Sequence, residues 1–329
     1  MRNKICKGVT ALLVIVAVLF TAACGGNGPA GTGDASEKKK ISVVTTIYPY
    51  ADWIKNVVGD EKDHVEITYL LDNNVDLHSY QPTVQDIVKI STADLFIYGG
   101  GMSDSWVDKA LQESSNPGML VMNMMSELGD RAREEELVEG MQGEEEEEHD
   151  EDEKEYDEHL WLSVKNAAAL VPVIAGKLSE ADPERKAVYE ANAASYREKL
   201  EALDRKYEEA TGTAAVKTLV FADRFPFLYL AKDYGLTYYA AFIGCSAETE
   251  ASFETVAFLA RKVDELKLTH IMVIETSDQK IAETVKSTSK AKNQTVLVMD
   301  SMQSVRLGEE KNYLSVMEEN LKVLEEALK

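Results

Sequence analysis

Residues 182–212 read DPERKAVYEANAASYREKLEALDRKYEEATG, and the rest of the chain arranges itself around them. Asp182 is placed to cap a helix, Pro183 suits its first turn, and Gly212 is a natural stop. Between them Tyr189, Ala193, Tyr196, Leu200, Leu203 and Tyr207 recur at spacings of four and three, so a single apolar stripe runs the length of the helix. About 28 residues at roughly 1.5 Å each give a rod of about 42 Å, long enough to bridge two lobes. A coiled-coil partner is the competing way to cover the stripe. The repeat lasts little over two heptads and a strand follows at once, which favours packing within the chain.

Outward from this helix, both sides show the same alternation. Ile41 to Thr46, Val65 to Leu71, Leu95 to Tyr98 and Met119 to Met122 are short β-branched or apolar runs separated by amphipathic segments. Thr218 to Ala222, Tyr238 to Phe242, Ile271 to Ile274 and Thr295 to Met299 repeat the pattern. Strand and helix in series imply parallel sheets covered by helices, here in two α/β blocks. The expected organisation is a first lobe over 41–181, a linker helix over 182–211 and a second lobe over 212–329.

The beginning of the chain has another character. Arg2, Lys4 and Lys7 precede an unbroken apolar run from Ala11 to Phe20, and Thr21-Ala22-Ala23 leads to Cys24. Residues 1–23 therefore read as a signal peptide, too short in their apolar part for the roughly 20 residues of a spanning helix. The junction resembles a bacterial lipobox, which would lipidate Cys24 and leave 24–40, rich in glycine and lysine, as a flexible tether. Secretion without a lipid is the alternative. Either way the folded part works outside the cytoplasm, and with the lipid it is held at the membrane.

The 329 residues carry a net charge of −23, which argues against nucleic acid as a partner. Cys6, Cys24 and Cys245 form no CxxC pair and make neither a disulfide framework nor a zinc knuckle. Nearly half the excess charge lies in 144–158, where twelve of fifteen residues are Asp or Glu. Such a run prefers water and reads as a mobile acidic loop; with His149 inside it, it can also collect divalent cations weakly. Only five histidines exist, and His78 and His159 both follow loops, where binding residues concentrate. A surface or core role is the ordinary expectation for either one alone.

The surroundings of these histidines change that expectation. Val43-Val44-Thr45-Thr46-Ile47-Tyr48-Pro49, His78-Ser79-Tyr80-Gln81-Pro82-Thr83, Ala93-Asp94-Leu95 to Trp106, an acidic insert, His159-Leu160-Trp161-Leu162-Ser163, Tyr189 with Asn192 and Leu203-Asp204, Tyr234-Gly235-Leu236 and Ile274-Glu275 occur in that order. Together they resemble the cluster A-I metal-binding lipoproteins, the solute-binding proteins of zinc and manganese ABC importers. The resemblance implies two similar α/β lobes joined by one long rigid helix, with one metal in the cleft between them. It implies His78, His159 and Asp300 as ligands, a permease and its ATPase as partners, and capture without catalysis; monomer is the default state.

One position departs from the pattern. Where the family carries a third His or a Glu, Asp223-Arg224-Phe225 places Arg224, whose guanidinium cannot bind a cation. Asp223, Cys245, Glu275 or a water would then complete the shell, and Arg224 would pair with Asp223, Glu248 or Glu250. Cys245 has the alternative of a small buried hydrophobe. The charged insert before His159 resembles that of the family's zinc-type members, which implies Zn²⁺ as the bound substrate over Mn²⁺. A metallohydrolase lacks any HExxH or HxHxDH motif here, while a metal-binding adhesin or sensor stays open.

Overall fold

The computed structural model describes residues 40–72, 75–143, 155–246, 250–305 and 311–329. The signal peptide, Cys24 with nearly all of the tether, and the acidic run 144–154 lie outside the described residues. The first lobe holds β1 (Ile41–Thr45), α1 (Tyr48–Val58), β2 (Val65–Tyr69), α2 (Val84–Ser91), β3 (Leu95–Tyr98), α3 (Val107–Gln112), β4 (Leu120–Asn123) and α4 (Met124–Leu128). α5 (Val164–Ala181) and α6 (Lys186–Thr213) follow. The second lobe holds β5 (Thr218–Phe225), α7 (Leu228–Asp233), β6 (Thr237–Ile243), α8 (Phe253–Glu265), β7 (His270–Ile274), α9 (Lys280–Thr288), β8 (Thr295–Met299) and α10 (Tyr313–Ala327).

All eight expected strands form. They make two four-stranded parallel sheets with the same order, β2-β1-β3-β4 and β6-β5-β7-β8. Parallel pairing requires crossover connections, and the loops that leave the carboxyl ends of the strands are where α/β proteins bind ligands.

α6 is the long connector, 28 residues with Tyr189, Ala193, Tyr196, Leu200, Leu203 and Tyr207 all buried. Its start differs from the sequence expectation. Pro183–Arg185 form a tight 3₁₀ turn, and the Asp182 carboxylate does not cap α6. It instead accepts from Arg185 Nη1 at 2.8 Å and from Tyr189 Oη at 2.9 Å, because the chain must reverse sharply between α5 and α6 before it can enter the helix. Gly212 does not stop the helix, which runs on to Thr213.

A continuous apolar core extends from Val43 in β1 through α5 and α6 to Leu324 in α10, and so belongs to both lobes. A smaller cluster between the second sheet, α8 and α9 covers that sheet's other face. Polar bonds cross between the lobes: Trp161 Nε1 donates to the Ser301 carbonyl at 2.9 Å, Tyr69 Oη to Val305 at 3.1 Å, and Tyr229 Oη to Asp157 at 2.9 Å. With shared apolar packing and these bonds, the lobes form one body. No helix among the described residues is long and apolar enough to cross a membrane.

Candidate metal centre

His78 sits in a 3₁₀ turn, Leu77–Ser79, just beyond the carboxyl end of β2. Asp76 caps that turn, its Oδ1 accepting from the His78 backbone N–H at 3.0 Å. His159 is built the same way: Asp157 Oδ1 accepts from the His159 N–H at 2.8 Å. Both histidines therefore stand in Asp-x-His segments whose aspartate fixes the local turn. The Asp-x-His spacing, present in the sequence at both positions, is the signal that marks Asp76 and Asp157 as functional neighbours.

The two rings meet edge to face with centroids 5.2 Å apart. His159 is fully buried, and Asp157 also bonds its Nδ1 at 3.1 Å. In the neutral ring, a proton on Nδ1 facing that carboxylate leaves the lone pair on Nε2, which has no hydrogen-bond partner. The side chain of His78 is 5% exposed, with Nδ1 3.6 Å from Glu158 Oε1. Glu158 is itself held by Ser103, whose N–H donates to Oε2 at 3.0 Å and whose hydroxyl donates to Oε1. The dipeptide Asp157-Glu158 thus faces one histidine with each carboxylate.

That dipeptide corrects an expectation. The end of the acidic segment is not solvated: Asp157 and Glu158 are 2% and 3% exposed. A short bridge between Glu134 and Tyr156, with the Glu135 N–H donating to the Glu155 carbonyl at 2.9 Å, folds the insert back on itself and draws its foot into the protein.

The third group comes from the other lobe. Cys245 follows β6, and its sulfur lies with one nitrogen of His78 and one of His159 such that all three atoms are within 4.8 Å of one another. Gly244 lets this turn approach. A Cβ there would sit 3.0 Å from Cε1 and Nδ1 of His159, and its carbonyl is 3.4 Å from His78 Nε2.

The electrostatics are those of a concentrated negative pocket. Burial, followed by the neighbouring His159, lowers the His78 pKa to about 3, so that ring is neutral. Burial also opposes protonation of His159, but Asp157, backed by Glu158 and Glu135, outweighs it and raises the pKa. The Cys245 thiol is pushed well above its ordinary value by burial and then by Glu158, Glu135 and Asp157. Burial raises Glu135 in turn, and its Oε1 is buried without a hydrogen-bond partner. A divalent cation would balance this charge and take the free lone pairs.

The remaining candidates stand outside that close group. Asp300, Asp223 and Glu275 are not members of the three-atom group formed among the described residues. Asp300 ends β8, where Oδ1 accepts from the Met302 N–H at 2.9 Å and Oδ2 is 3.4 Å from Lys311 Nζ. Glu275 beside it accepts from Ser301 N and Oγ at 2.7 and 2.8 Å, and burial followed by Asp300 raises its pKa to about 7. Asp223 lines a cavity of about 320 Å³ together with Asp76, His78, Arg224 and Asp278, and its Oδ2 is buried without a partner. Arg224 crosses from β5 to the first lobe, its Nη2 2.7 Å from Asp76 Oδ2. Glu248 lies outside the described residues; in place of the expected pairing with Asp223 or Glu250, Asp76, half-buried beside the histidine turn, offers a two-oxygen partner across the cleft.

Residues 43–327 match the model of the family described as zinc-uptake complex component A, periplasmic. The chain belongs to this family. Among relatives of this zinc-uptake family, the zinc-binding lipoprotein AdcA of Streptococcus pneumoniae is 33% identical over 327 residues, which cover 97% of this chain and 61% of AdcA. The high-affinity zinc uptake system protein ZnuA of Bacillus subtilis is 32% identical over 330 residues, covering 98% of both chains. In three dimensions the Zn(II)-bound ZnuA-like domain of the pneumococcal AdcA matches with a TM-score of 0.69 at 31% identity, over 88% of this chain and 99% of that domain. The two lobes and the connecting helix are thus the architecture of the zinc-uptake family, and the centre described above occupies the cleft between them.

Proposed function

We propose that this protein is the extracytoplasmic receptor of an ABC importer, which captures Zn²⁺ between its lobes at His78 and His159 and delivers it to a membrane permease. The observation that carries this reading is the pair of buried imidazoles 5.2 Å apart, one with Nε2 unpartnered and its tautomer set by Asp157, under a loop of the opposite lobe. Nitrogen ligands with carboxylates close by are the set zinc accepts. Free metal is drawn by the net negative charge toward the cavity lined by Asp76, Asp223 and Asp278, and exchanges its waters for imidazole at the inner end, where His78 stands. Membership in a zinc-uptake family and the zinc named for its relatives support this cargo over manganese. Lipidation at Cys24 would keep the loaded receptor beside its permease and ATPase. Release then requires the permease to favour an arrangement in which the two lobes' ligands separate.

The test is equilibrium dialysis of the purified protein against mixed zinc and manganese, followed by elemental analysis, beside a His78→Ala, His159→Ala double variant. The reading expects about one tightly held zinc in the parent and none in the variant. Several weakly held ions, equal in both proteins, would overturn it.

A further inference from the structure

Arg224 denies the cleft a ligand at the slot where the family resemblance expects one, and the turn after β6 brings a different atom to the same place. We propose that the metal is held by His78, His159 and the thiolate of Cys245, so that the second lobe contributes sulfur where its relatives would offer nitrogen or a carboxylate. This rests on the reading of the cleft as a zinc site and specifies its chemistry. Three potential ligand atoms from three separate segments lie within 4.8 Å of one another. In a tetrahedral zinc centre such atoms are about 3.3–3.6 Å apart, so binding need close the group by no more than about 1.5 Å.

Arg224 gains a purpose in the same geometry. Its Nη2 holds Asp76, two residues before His78, at 2.7 Å, and its Nη1 donates to the carbonyl of Ser246, one residue after Cys245, at 3.3 Å. One guanidinium therefore braces the turns that carry a nitrogen ligand and the sulfur, from opposite lobes. It is a positioning residue for both.

Glu135 arrives from a strap of the first lobe that lies on the second. The Gln142 N–H donates to the Ala241 carbonyl at 2.9 Å in a bridge alongside β6, and Gln142 Oε1 accepts from the Ser252 N–H at 2.9 Å. The strap carries Glu135, whose Oε1 is buried and has no hydrogen-bond partner, and its charge is one of those that act on the Cys245 thiol. A thiolate brings a negative charge to a divalent ion, and sulfur favours zinc over manganese. On binding, the S–H bond breaks, a metal–sulfur bond forms and the proton leaves to solvent.

Cobalt(II) in place of zinc tests this on the full chain, because a thiolate ligand adds a sulfur-to-cobalt charge-transfer band in the near ultraviolet that imidazole and carboxylate do not give. The parent is expected to show that band with one bound cobalt. Cys245→Ser is expected to lose it while still binding through the histidines, and Glu135→Gln to keep it with affinity lowered about tenfold. Cobalt bound in a histidine-dependent way without the band, or a Cys245→Ser spectrum equal to the parent's, would overturn the sulfur ligand and leave the receptor reading intact. A Glu135→Gln affinity equal to the parent's would mean that the carboxylate does not act on the sulfur site. Binding that survives His78→Ala, His159→Ala unchanged would instead bring down the receptor reading itself.

Discussion

β2 and β6 hold the same place in their sheets, each an edge strand beside the first strand of its lobe, yet the turns that follow them are built differently. The turn after β2 presents an imidazole, capped by Asp76 and faced by Glu158. The turn after β6 presents a thiol held up by Gly244, with no aspartate of its own. The first lobe thus supplies a pre-oriented pair of histidines, and the second closes on them with a small loop. A duplicated scaffold here fixes where ligands come from but leaves their chemistry to the turns.

The strongest way to break this comparison is His159→Ala. Isothermal titration should show zinc affinity falling by more than about 100-fold, beyond what an outer partner carries. Unchanged affinity would mean that the pre-oriented pair is not the centre. Next come the two Asp-x-His aspartates. Asp157→Ala removes both the backbone cap and the Nδ1 partner of His159, and should cost about 10–100-fold in affinity, whereas Asp76→Ala removes only a cap and the Arg224 contact and should cost less. Equal losses would refute the division of labour between them. Gly244→Ala probes the second lobe: a Cβ 3.0 Å from the His159 ring must displace it, so affinity should drop about tenfold while the melting temperature barely moves.

The smallest effect separates the helices that follow these strands. α2 is capped by Thr83 with Asp86, an ionised partner, and α8 by Ser252, whose hydroxyl accepts from Thr255 N at 3.1 Å. Burial pushes the Asp86 pKa up, but the Thr83 bonds and Lys89 more than offset it and hold it below its ordinary value. A depressed carboxylate gives stability above its unfolded pKa and loses it as pH falls through the folded one. Hydrogen exchange in α2 should therefore speed up below about pH 4 while α8 is unaffected, and Asp86→Ala should cost about 1 kcal/mol at neutral pH. An acid response of equal size in both helices would contradict the assignment.

What the sequence made legible follows the range of the forces involved. The eight strands and the α6 stripe rest on local periodicity and were readable. Asp182 misled because its favoured role as a cap competed with Arg185 and Tyr189, and a tight reversal decided between them. His78 and His159 were readable from their neighbours in the chain. Glu135 and Glu158 were not, since their meeting depends on an insert that folds back across 22 residues through the Glu134 and Tyr156 bridge. Arg224 was readable as a departure, but its partner Asp76 lies 148 residues away and no local pattern announces it.

The central claim is that one zinc sits between the lobes on the two oriented histidines. Anomalous diffraction at the zinc edge from crystals of the loaded protein tests it most directly. The account predicts one strong peak about 2.0–2.1 Å from Nε2 of His159 and from a ring nitrogen of His78, with second-lobe atoms completing the shell. A peak on Asp300 and Glu275 with both histidines free would contradict it.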